Sequence, residues 1–580
     1  MSEERTLPIA AGHREFTVKV AGEAVSREQQ LLGVTITKSV NKISSARLIY
    51  LDGAASSSDF PLSNSETFVP GSEIEIMAGA VDDPVSLFKG IVVRQSLKVR
   101  SNTASQLVVT CRHNAVKLSV GRKSAYFFDQ TDSDMISALL DNAAIDSEVE
   151  STSVTHKQLV QYNATDWDFL LTRAEANGKL VFTNDDKVTV KAPVFDGTAV
   201  CTLLFGATVL EMDLEIDARL QYSAVKSVTW DAAQQSLLEK EAADPMVSGP
   251  GNFESNDLAG VIGLDQYQLQ HATVSEEEAQ AWADAQWLKS KMSKVNGRVK
   301  CEGIGTVNPG DIVTLSGAGE RYNGDLYVTG VRQSLDLVQG WKTDIQCGNT
   351  AGWLAEESDI TAPKASALLP GVNGLQIGVV VSLEDPDGED RVRVKMPLVN
   401  NEEDGTWARV ASPDAGDARG FFFRPEIDDE VILGFLNDDP RQAVILGMLH
   451  SSAKPAPLTG SDDNHEKVYQ SRSKMKIYFD DDKKIMEFET PAGNKITMSE
   501  EDQAIKIADQ NGNKIEMTSD GIKIESSKAI ELKAGTEVKM ESGTSFSAKG
   551  GTELKLTGAS GAELSSSAMT KVKGSLLQLN

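Results

Sequence analysis

The last part of the chain repeats an apolar pattern with a period of eight residues. From Ile522 onward, one apolar position recurs at this period, and a second recurs two residues after the first. Residues i and i+2 of a strand point to the same face, so each octad offers one pair of side chains for burial. The pattern predicts short β-strands that bury one face within residues 475–580. Ten side chains of the two series are singled out: Ile522, Ile530, Val538, Phe546 and Leu554 in the first, and Ile524, Leu532, Met540, Leu556 and Leu564 in the second. Ala562 continues the first series, and Ala548 and Val572 complete the second.

The length of this repeat also predicts how many chains build the region. Eight residues are too few for one rung of a single-chain solenoid, which needs about 20 residues or more. Three identical chains that wind together would close a shared apolar core. The sequence therefore predicts a homotrimeric, triple-stranded intertwined β-helix whose trimer core consists of the ten side chains above. An adhesin stalk would follow the same logic, so the repeat alone leaves the function open.

Two segments upstream share one order of turns and strands. Each begins with a Pro-Gly turn, at Pro70-Gly71 or Pro309-Gly310, and each contains the pentapeptide VRQSL, at Val93–Leu97 or Val331–Leu335. The proline and the first valine of VRQSL are 23 residues apart in one segment and 22 in the other. Alternation of polar and apolar residues around these motifs is typical of half-buried strands. The pattern predicts a duplicated β-barrel, with units at about 15–115 and 205–350.

Between the two units, the apolar residues follow helical spacing. Met135 and Leu139 lie on one face of a predicted helix. Thr165 is a good N-cap for a second helix, which Gly178 would end. Ser275 starts a third helix, whose early glutamates suit its positive N-terminal end. These elements predict α/β insertions in a hub domain at 1–360, and a fold class that is mainly β with some α.

A small domain is predicted at 374–452, between linkers at 361–373 and 453–474. The linkers are recognised by their composition. Within the domain, short alternating strands are separated by turns such as Asp387-Gly388. Five strands in about 80 residues fit a small closed barrel of the OB-fold type.

Sequence motifs in this small domain carry a family resemblance. DPDGEDRVRVKMP, WARVASPDAG, FFFRPEIDDEVILGFLNDDP and VILGMLH occur in this order. This set resembles the OB domain of VgrG-type spike proteins and of phage baseplate needle proteins. The upstream stretch QYNATDWDFLLTRAEANGKLVF resembles the hub domain of the same family. The resemblance covers most of the chain from about residue 30 onward.

The resemblance implies the structural central spike of a contractile injection apparatus. In that family, the hub joins a hexameric tube of Hcp-like subunits and baseplate proteins to a trimeric needle, which punctures the target envelope. Two barrels in each of three chains would give six similar barrels, matching a sixfold tube to a threefold needle. The resemblance also implies a separate PAAR-type tip protein and possible effectors.

The last residues are the predicted docking site for the tip protein. An open β-helix end exposes unpaired strand edges and apolar side chains, which proteins usually cover. The competing possibility is that these residues fold over the end themselves. The predicted docking residues are Leu576, Leu577, Leu579 and Asn580.

Charge and hydropathy restrict the partners and the location. A net charge of −28 repels nucleic acid and anionic membrane surfaces at long range. No apolar stretch is long enough to cross a bilayer as a helix, and the start of the sequence lacks the apolar segment of a secretory signal. We expect synthesis and assembly in the bacterial cytoplasm, followed by delivery outside the cell or release within an extracellular particle. The target membrane would be contacted only mechanically.

Catalytic and metal-binding signatures are absent from the sequence. H-E-x-x-H, G-x-S-x-G and the P-loop do not occur. The four cysteines form no C-x-x-C and are predicted to be buried, reduced thiols. The acidic stretch Asp385–Asp390 lacks the spacing of a calcium loop and predicts a plain β-turn. We therefore expect a non-enzymatic protein without a cofactor or a metal site.

Other functions remain open at this stage. A trimeric adhesin or a phage tail-fibre-like protein would share the repeat but would not need a duplicated hub. An enzyme is the third alternative. The sequence does not distinguish a type VI secretion spike from an extracellular phage-tail-like particle or a phage baseplate.

Overall fold

The computed structural model describes residues 14–579 except 57, 81–82, 102, 248, 265, 358–359, 361–368 and 403. The chain folds as two compact units, Met1–Gly371 and Val372–Asn580. Most of the linker predicted at 361–373 lies outside the described residues, and so does the predicted docking residue Asn580. None of the helices in the described part is long and apolar enough to cross a membrane.

The first unit begins with an antiparallel sheet that we call barrel 1. Its strands are β1 (Arg14–Val20), β2 (Glu23–Ala24), β3 (Leu31–Ser39), β4 (Ser45–Leu51), β5 (Glu73–Ala80), β6 (Asp83–Arg100) and β7 (Thr103–Arg112). They pair in the order β3-β4-β7-β6-β5-β1-β2. Alternate residues such as Leu48, Ile76 and Val109 form the apolar core of this barrel.

An α/β insertion follows barrel 1 and has an apolar core of its own. After a 3-10 turn at Asn114–Ser119, it contains β8 (Lys123–Thr131), α1 (Asp132–Asn142), β9 (Asp146–Val149), β10 (Thr155–Ala164), α2 (Asp166–Ala176), β11 (Leu180–Asn184) and β12 (Lys187–Lys191). The predicted N-cap of α2 is confirmed, because the Thr165 hydroxyl accepts a hydrogen bond from the Asp168 amide at 3.0 Å. Gly178 follows the helix at a φ of +64°, a conformation that favours glycine.

A second barrel, barrel 2, completes the first unit. The elements are β13 (Cys201–Leu204), β14 (Val209–Ile216), β15 (Val225–Asp231), β16 (Ser236–Glu241), α3 (Ser255–Ile262), β17 (Tyr267–Gln270), α4 (Glu276–Met292), β18 (Val295–Glu302), β19 (Ile312–Ser316), β20 (Gly324–Asp336) and β21 (Gly340–Cys347), followed by a 3-10 turn at Leu354–Glu356. The barrel strands pair in the order β14-β18-β21-β20-β19-β13. The elements β15 to α4 form a second insertion. Ser275 caps α4, as the sequence predicts, by accepting from the Glu278 amide at 3.1 Å.

The two barrels have the same strand order. The six strands of each barrel, counted along the chain with the two-residue β2 left out, pair as 2-3-6-5-4-1 in both. The Pro-Gly turns are held alike, because the Gly71 amide donates to the Val92 carbonyl at 2.8 Å and the Gly310 amide to the Val328 carbonyl at 2.8 Å. One difference is that β1 runs antiparallel to β5, whereas β13 runs parallel to β19. The shared strand order and turns are consistent with the predicted duplication, apart from this one strand direction.

The two VRQSL copies are not structurally equivalent, however. Val92 lies opposite Cys111 and Val328 lies opposite Cys347, and a one-residue bulge follows each valine. Arg94 therefore corresponds to Gly330, and the second pentapeptide is shifted by two residues along its strand. Side chains of a strand alternate with a period of two, so this shift keeps each residue on the same face. The environments of the two copies differ, since Val93 is exposed and Val331 is buried. Strand order and turns therefore carry the duplication.

One pairing joins the two barrels into a single 13-stranded sheet. The second half of β20, Gly330–Asp336, runs antiparallel to Gly33–Ser39 of β3. The first half of β20, Gly324–Tyr327, pairs with β19 along the same edge. The sequence pattern did not predict this connection.

The second unit begins with the predicted OB-type barrel. Its strands are β22 (Gln376–Ser382), β23 (Val392–Lys395), β24 (Thr406–Val410), β25 (Ala415–Gly416), β26 (Arg419–Gly420), β27 (Glu430–Phe435) and β28 (Ala443–Met448), with a 3-10 turn at Leu436–Asp438. Five of them close in the order β22-β23-β24-β28-β27, which confirms the closed barrel. Val394, Leu433 and Ile445 lie in its core.

In the acidic turn of this barrel, the Asp385 carboxylate is hydrogen-bonded to donors of the chain itself. Asp385 accepts hydrogen bonds from the Asp387 and Arg391 amides and from the Arg391 side chain at 2.8 Å. The Arg391 guanidinium holds the pKa of Asp385 well below its usual range. Among the described residues, no group of three or more His, Cys, Asp or Glu side chains is arranged to hold a metal ion.

A seven-stranded antiparallel meander follows the barrel. Its strands are β29 (Glu466–Gln470), β30 (Lys476–Asp480), β31 (Ile485–Glu489), β32 (Lys495–Ser499), β33 (Ala504–Ala508), β34 (Lys514–Thr518) and β35 (Gly521–Glu525). β29 lies within 453–474, which the sequence pattern assigned to a linker. The polar residues of β29 form a strand because their backbone groups pair with β30. The strands as far as Glu525 thus pair within one chain. Residues 526–579, all of which are described, belong to no strand of the single chain.

Candidate trimerisation surface

Strands β30 to β35 present one face that is entirely apolar. Their antiparallel pairing is in register, so residues directly opposite each other lie side by side on the same face. Two rows of side chains result, and no polar residue interrupts either of them. The first row is Ile477, Phe488, Ile496, Ile507, Ile515 and Ile524, and the second is Phe479, Met486, Met498, Ile505, Met517 and Ile522.

The opposite face of the meander is charged and paired. Its central row is Tyr478, Glu487, Thr497, Lys506, Glu516 and Lys523. Cross-strand ion pairs join Lys495 to Glu487 at 2.6 Å and Lys514 to Glu525 at 2.8 Å. Opposite charges at such positions favour the observed register. This face suits contact with water, so the meander has a defined inner and outer side.

In the single chain the apolar face is uncovered. Ile496, in the middle of the first row, is 41% exposed, and Phe488 beside it is equally exposed. Monomeric soluble proteins rarely leave a contiguous apolar patch of this extent in water. Three copies related by threefold symmetry would turn the apolar faces toward one axis and leave the charged faces outside. The meander is therefore a candidate trimerisation surface.

Three of the ten predicted trimer-core residues lie on or beside this surface. Ile522 and Ile524 lie on β35 and end the two rows, opposite Met517 and Ile515. Ile530 lines the same groove as Ile515 and Ile524. The other predicted residues lie beyond the meander and are exposed in the single chain: Leu532, Val538, Met540, Phe546, Leu554, Leu556 and Leu564.

The octad pattern missed the longer repeat that builds the meander. Alternate strands of the meander begin at a spacing of 19 residues, at Lys476, Lys495 and Lys514. Each period contains two short strands of opposite direction, so the apolar positions do not recur at a fixed octad. The 19-residue spacing of the motifs GNKITM and GNKIEM is the signal that identifies this repeat.

The predicted docking residues for a tip protein lie at the far end of the same region. Leu576, Leu577 and Leu579 are exposed in the single chain, and Asn580 lies outside the described residues. These leucines make no apolar cluster with the rows of the meander. Their exposure is compatible with a docking role but does not identify a partner.

The cysteines form no reactive site. Cys111, Cys301 and Cys347 are buried, and Cys201 is half-buried. Burial raises the pKa of each of the three buried thiols to about 12 and that of Cys201 to about 11. The thiolate is the nucleophilic form, so these thiols are poor nucleophiles at neutral pH.

Three family models match the chain in the order of its domains. The Alg8 N-terminal domain matches residues 10–336, which include both barrels. The type VI secretion system/phage-baseplate injector OB domain matches residues 376–450, and the phage baseplate V C-terminal trimerisation domain matches residues 485–545. The chain belongs to the Alg8 N-terminal domain family. It is also similar to VgrG-type spike proteins. The trimerisation match coincides with the uncovered apolar face.

Curated relatives of this chain include VgrG proteins. The chain is 27% identical over 222 residues to the type VI secretion system spike protein VgrG1b of Pseudomonas aeruginosa, covering 36% of this chain and 29% of that protein. It is 31% identical over 137 residues to the actin cross-linking toxin VgrG1 of Vibrio cholerae, covering 22% of this chain and 12% of that protein. The similarity thus spans less than a third of either relative. Among solved structures, the 43 kDa tail protein of prophage MuSo2 from Shewanella oneidensis is similar with a TM-score of 0.43 and 14% identity, covering 58% of this chain and 99% of that protein.

Proposed function

We propose that this VgrG-type protein is the structural central spike of a contractile injection apparatus and acts as a homotrimer. The uncovered apolar face of the meander carries the proposal, because only copies of the same face would cover it with matching shape and length. The match of residues 485–545 to a trimerisation domain supports the same assembly. The proposed domains are the hub at 1–360, the OB barrel at 374–452 and the needle at 475–580.

The trimer core is proposed to continue past the meander. Ile522 and Ile524 extend its apolar rows. The eight predicted positions from Ile530 to Leu564 keep the spacing of the octad, with Ala548 and Ala562 as the i, i+2 partners of Phe546 and Leu564. Three interwound chains would bury these pairs and resist shear along the axis. Such a rod is mechanically suited to puncturing a target envelope.

At the hub, the spike is proposed to join a hexameric tube of Hcp-like subunits and to contact baseplate proteins. The duplicated barrel supports this role, because three chains with two barrels of one topology present six similar units. A sixfold ring of barrels would offer each tube subunit an equivalent contact. The threefold needle would leave from the same three chains.

Leu576, Leu577, Leu579 and Asn580 are proposed to bind a PAAR-type tip protein, and effectors would travel with this assembly. The spike is proposed to be made and assembled in the bacterial cytoplasm and then delivered outside the cell. We also propose that the chain is not an enzyme. The buried, protonated thiols and the exposed apolar surfaces suit assembly better than catalysis, and the toxin name belongs to a relative that this chain matches over only a small part.

The runner-up function, a trimeric adhesin or tail fibre, shares the needle but leaves the hub unexplained. The matched OB and trimerisation domains are phage-baseplate domains, and VgrG1b is a spike protein. They favour the spike over the adhesin.

Binding of a tip protein separates these two functions. A PAAR-type protein from the same genome should be retained by the full chain in a pull-down, and a chain truncated after Ser575 should remain trimeric but bind it at least tenfold more weakly. Loss of three copies of the exposed leucines removes the apolar contact that would cover the end. Retention of equal strength by the truncated chain would contradict the docking residues, and no retention by either chain would favour the adhesin.

A further inference from the structure

Barrel 1 has a strand edge that is only half covered. β5 pairs with β6 from Asp83 to Ile91, and the rest of this edge, Val93–Arg100, has no strand partner within the described chain. On this half of β6, Leu97 is 46% exposed and Val99 is 66% exposed. An open strand edge with exposed aliphatic side chains is a template for pairing with another strand.

Barrel 2 shows what covers the equivalent edge. β20 corresponds to β6, and its second half, Gly330–Asp336, pairs with β3 of barrel 1. There, Leu335 packs against the core of barrel 1. The duplicated topology therefore contains one filled joint, in which the fifth strand of one barrel pairs with the second strand of the other.

The strand that would fill the open joint is also present in the chain. β14 is the second strand of barrel 2 and corresponds to β3. Both pair antiparallel with the third strand of their barrel, and both carry the same one-residue bulge, at Leu31/Gly33 in β3 and at Val209/Glu211 in β14. β14 pairs with β18 along one edge, whereas its other edge has no strand partner among the described residues.

We propose that β6 of one protomer pairs antiparallel with β14 of a second copy of this chain, so that three chains close a ring of six barrels. This joint rests on the proposed homotrimer and assigns its interface in the hub. Within a chain, β20 and β3 form the joint. Between chains, β6 and β14 repeat the same joint, and no strand edge of this kind is left open in the ring.

The filled joint fixes the register of the proposed one. Arg94 corresponds to Gly330, so Arg100 corresponds to Asp336 when residues are counted along β6. A second register shift between Lys98 and Arg100 adds its extra residue to β7 and leaves this count unchanged. The shared bulge makes Glu211 correspond to Gly33. The observed pairs Asp336–Gly33, Leu335–Val34, Ser334–Thr35 and Gln333–Ile36 then become Arg100–Glu211, Val99–Met212, Lys98–Asp213 and Leu97–Leu214.

The side chains of these pairs match in charge and in polarity, which supports the register that the shared bulges fix. Lys98 and Arg100 fall opposite Asp213 and Glu211, and neither basic residue has an ion-pair partner in the described part of the chain. On the other face, Leu97 and Val99 fall opposite Leu214 and Met212, which pack against the core of barrel 2. A slip by one residue would place charges against the core residues.

Charge also distinguishes the two joints. The filled joint has no opposite-charge pair at the corresponding positions, which are Ser334–Thr35 and Asp336–Gly33. In the proposed joint, Asp213 and Glu211 already bond Arg298 and Lys300 of their own chain at 3.1 Å, and the basic residues of β6 would join these pairs. A basic β6 therefore selects the acidic β14, whereas β3, which has no acidic residue, remains with β20.

Disulfide trapping tests the joint and its register. Opposite residues of an antiparallel pair have Cα atoms about 4.5–5.5 Å apart, within the range that a disulfide spans. The full chain with Val99→Cys and Met212→Cys should give, after mild oxidation, a species of three times 62.4 kDa on a denaturing gel. Reductant should return it to single chains. The matched control, Val99→Cys with Leu214→Cys, is one pair out of register and should cross-link at least tenfold less.

Two further measurements separate the possible failures. Adding Lys98→Glu and Arg100→Glu to the cross-linking variant should lower the yield about tenfold, because two attractive pairs become repulsive. Light scattering reports the oligomer without oxidation. A trimer in which the first pair does not cross-link, or in which both cysteine pairs cross-link equally, would overturn the proposed joint and leave the trimeric spike intact. A monomer would overturn the trimer itself, and the joint with it.

Discussion

The substitution Ile496→Lys is expected to convert the trimer into monomers. Ile496 lies in the first apolar row between Phe488 and Ile507, so the proposed trimer would bring three lysines to one level of a dry core. An unpaired buried ion costs several kcal/mol, and three copies would cost on the order of 10 kcal/mol per trimer. Light scattering at micromolar concentration should detect the loss of the trimer.

The neighbouring residue provides a matched control. Thr497 lies on the charged face, where its hydroxyl is 3.3 Å from a carboxylate oxygen of Glu487. Thr497→Lys introduces the same side chain one position away but leaves it in water, between Glu487 and Lys506. A solvated charge is tolerated there, so the mass should not change. A trimeric Ile496→Lys protein would mean that the apolar face is not the interface.

The second large effect is expected from Phe546→Asp in the needle. Phe546 is 67% exposed in the single chain, and the octad predicts that it meets its two symmetry mates near the axis. Three carboxylates in a dry core would repel each other and lose hydration. The region after Glu525 should then lose its resistance to heat and protease, while the meander upstream still holds the trimer.

Limited proteolysis followed by mass spectrometry checks this result. Ser547→Asp is the control, because the octad places Ser547 on the outer side of the proposed β-helix, next to Phe546. The needle of this control variant should stay resistant. Equal resistance of the two variants would show that the proposed octad register is wrong at this level.

Much of the architecture follows from local patterns. The period-two alternation around the Pro-Gly turns predicted two barrels, and the strand order now shows one topology in both. The pentapeptide VRQSL pointed to the duplication, although its copies are two residues out of register. Strand order depends on which strands pair. Five identical residues do not determine that pairing, because they can occupy different positions along a strand.

Other features depend on contacts that no local pattern contains. The pairing of β20 with β3 joins residues that lie almost 300 positions apart, and nothing in the sequence of Leu31–Ser39 marks it as a partner of Gly330–Asp336. The octad pattern did not predict the antiparallel meander, for a different reason. Its strands reverse direction after each short turn, so the apolar residues align through cross-strand register rather than through one fixed spacing.

The trimer is the central claim, and the mass of the full chain tests it most directly. Light scattering coupled to size exclusion, at micromolar concentration and neutral pH, should give three times 62.4 kDa, with no monomer peak. A stable, folded protein of 62.4 kDa under these conditions would contradict the account, because a single chain leaves the apolar face of the meander uncovered.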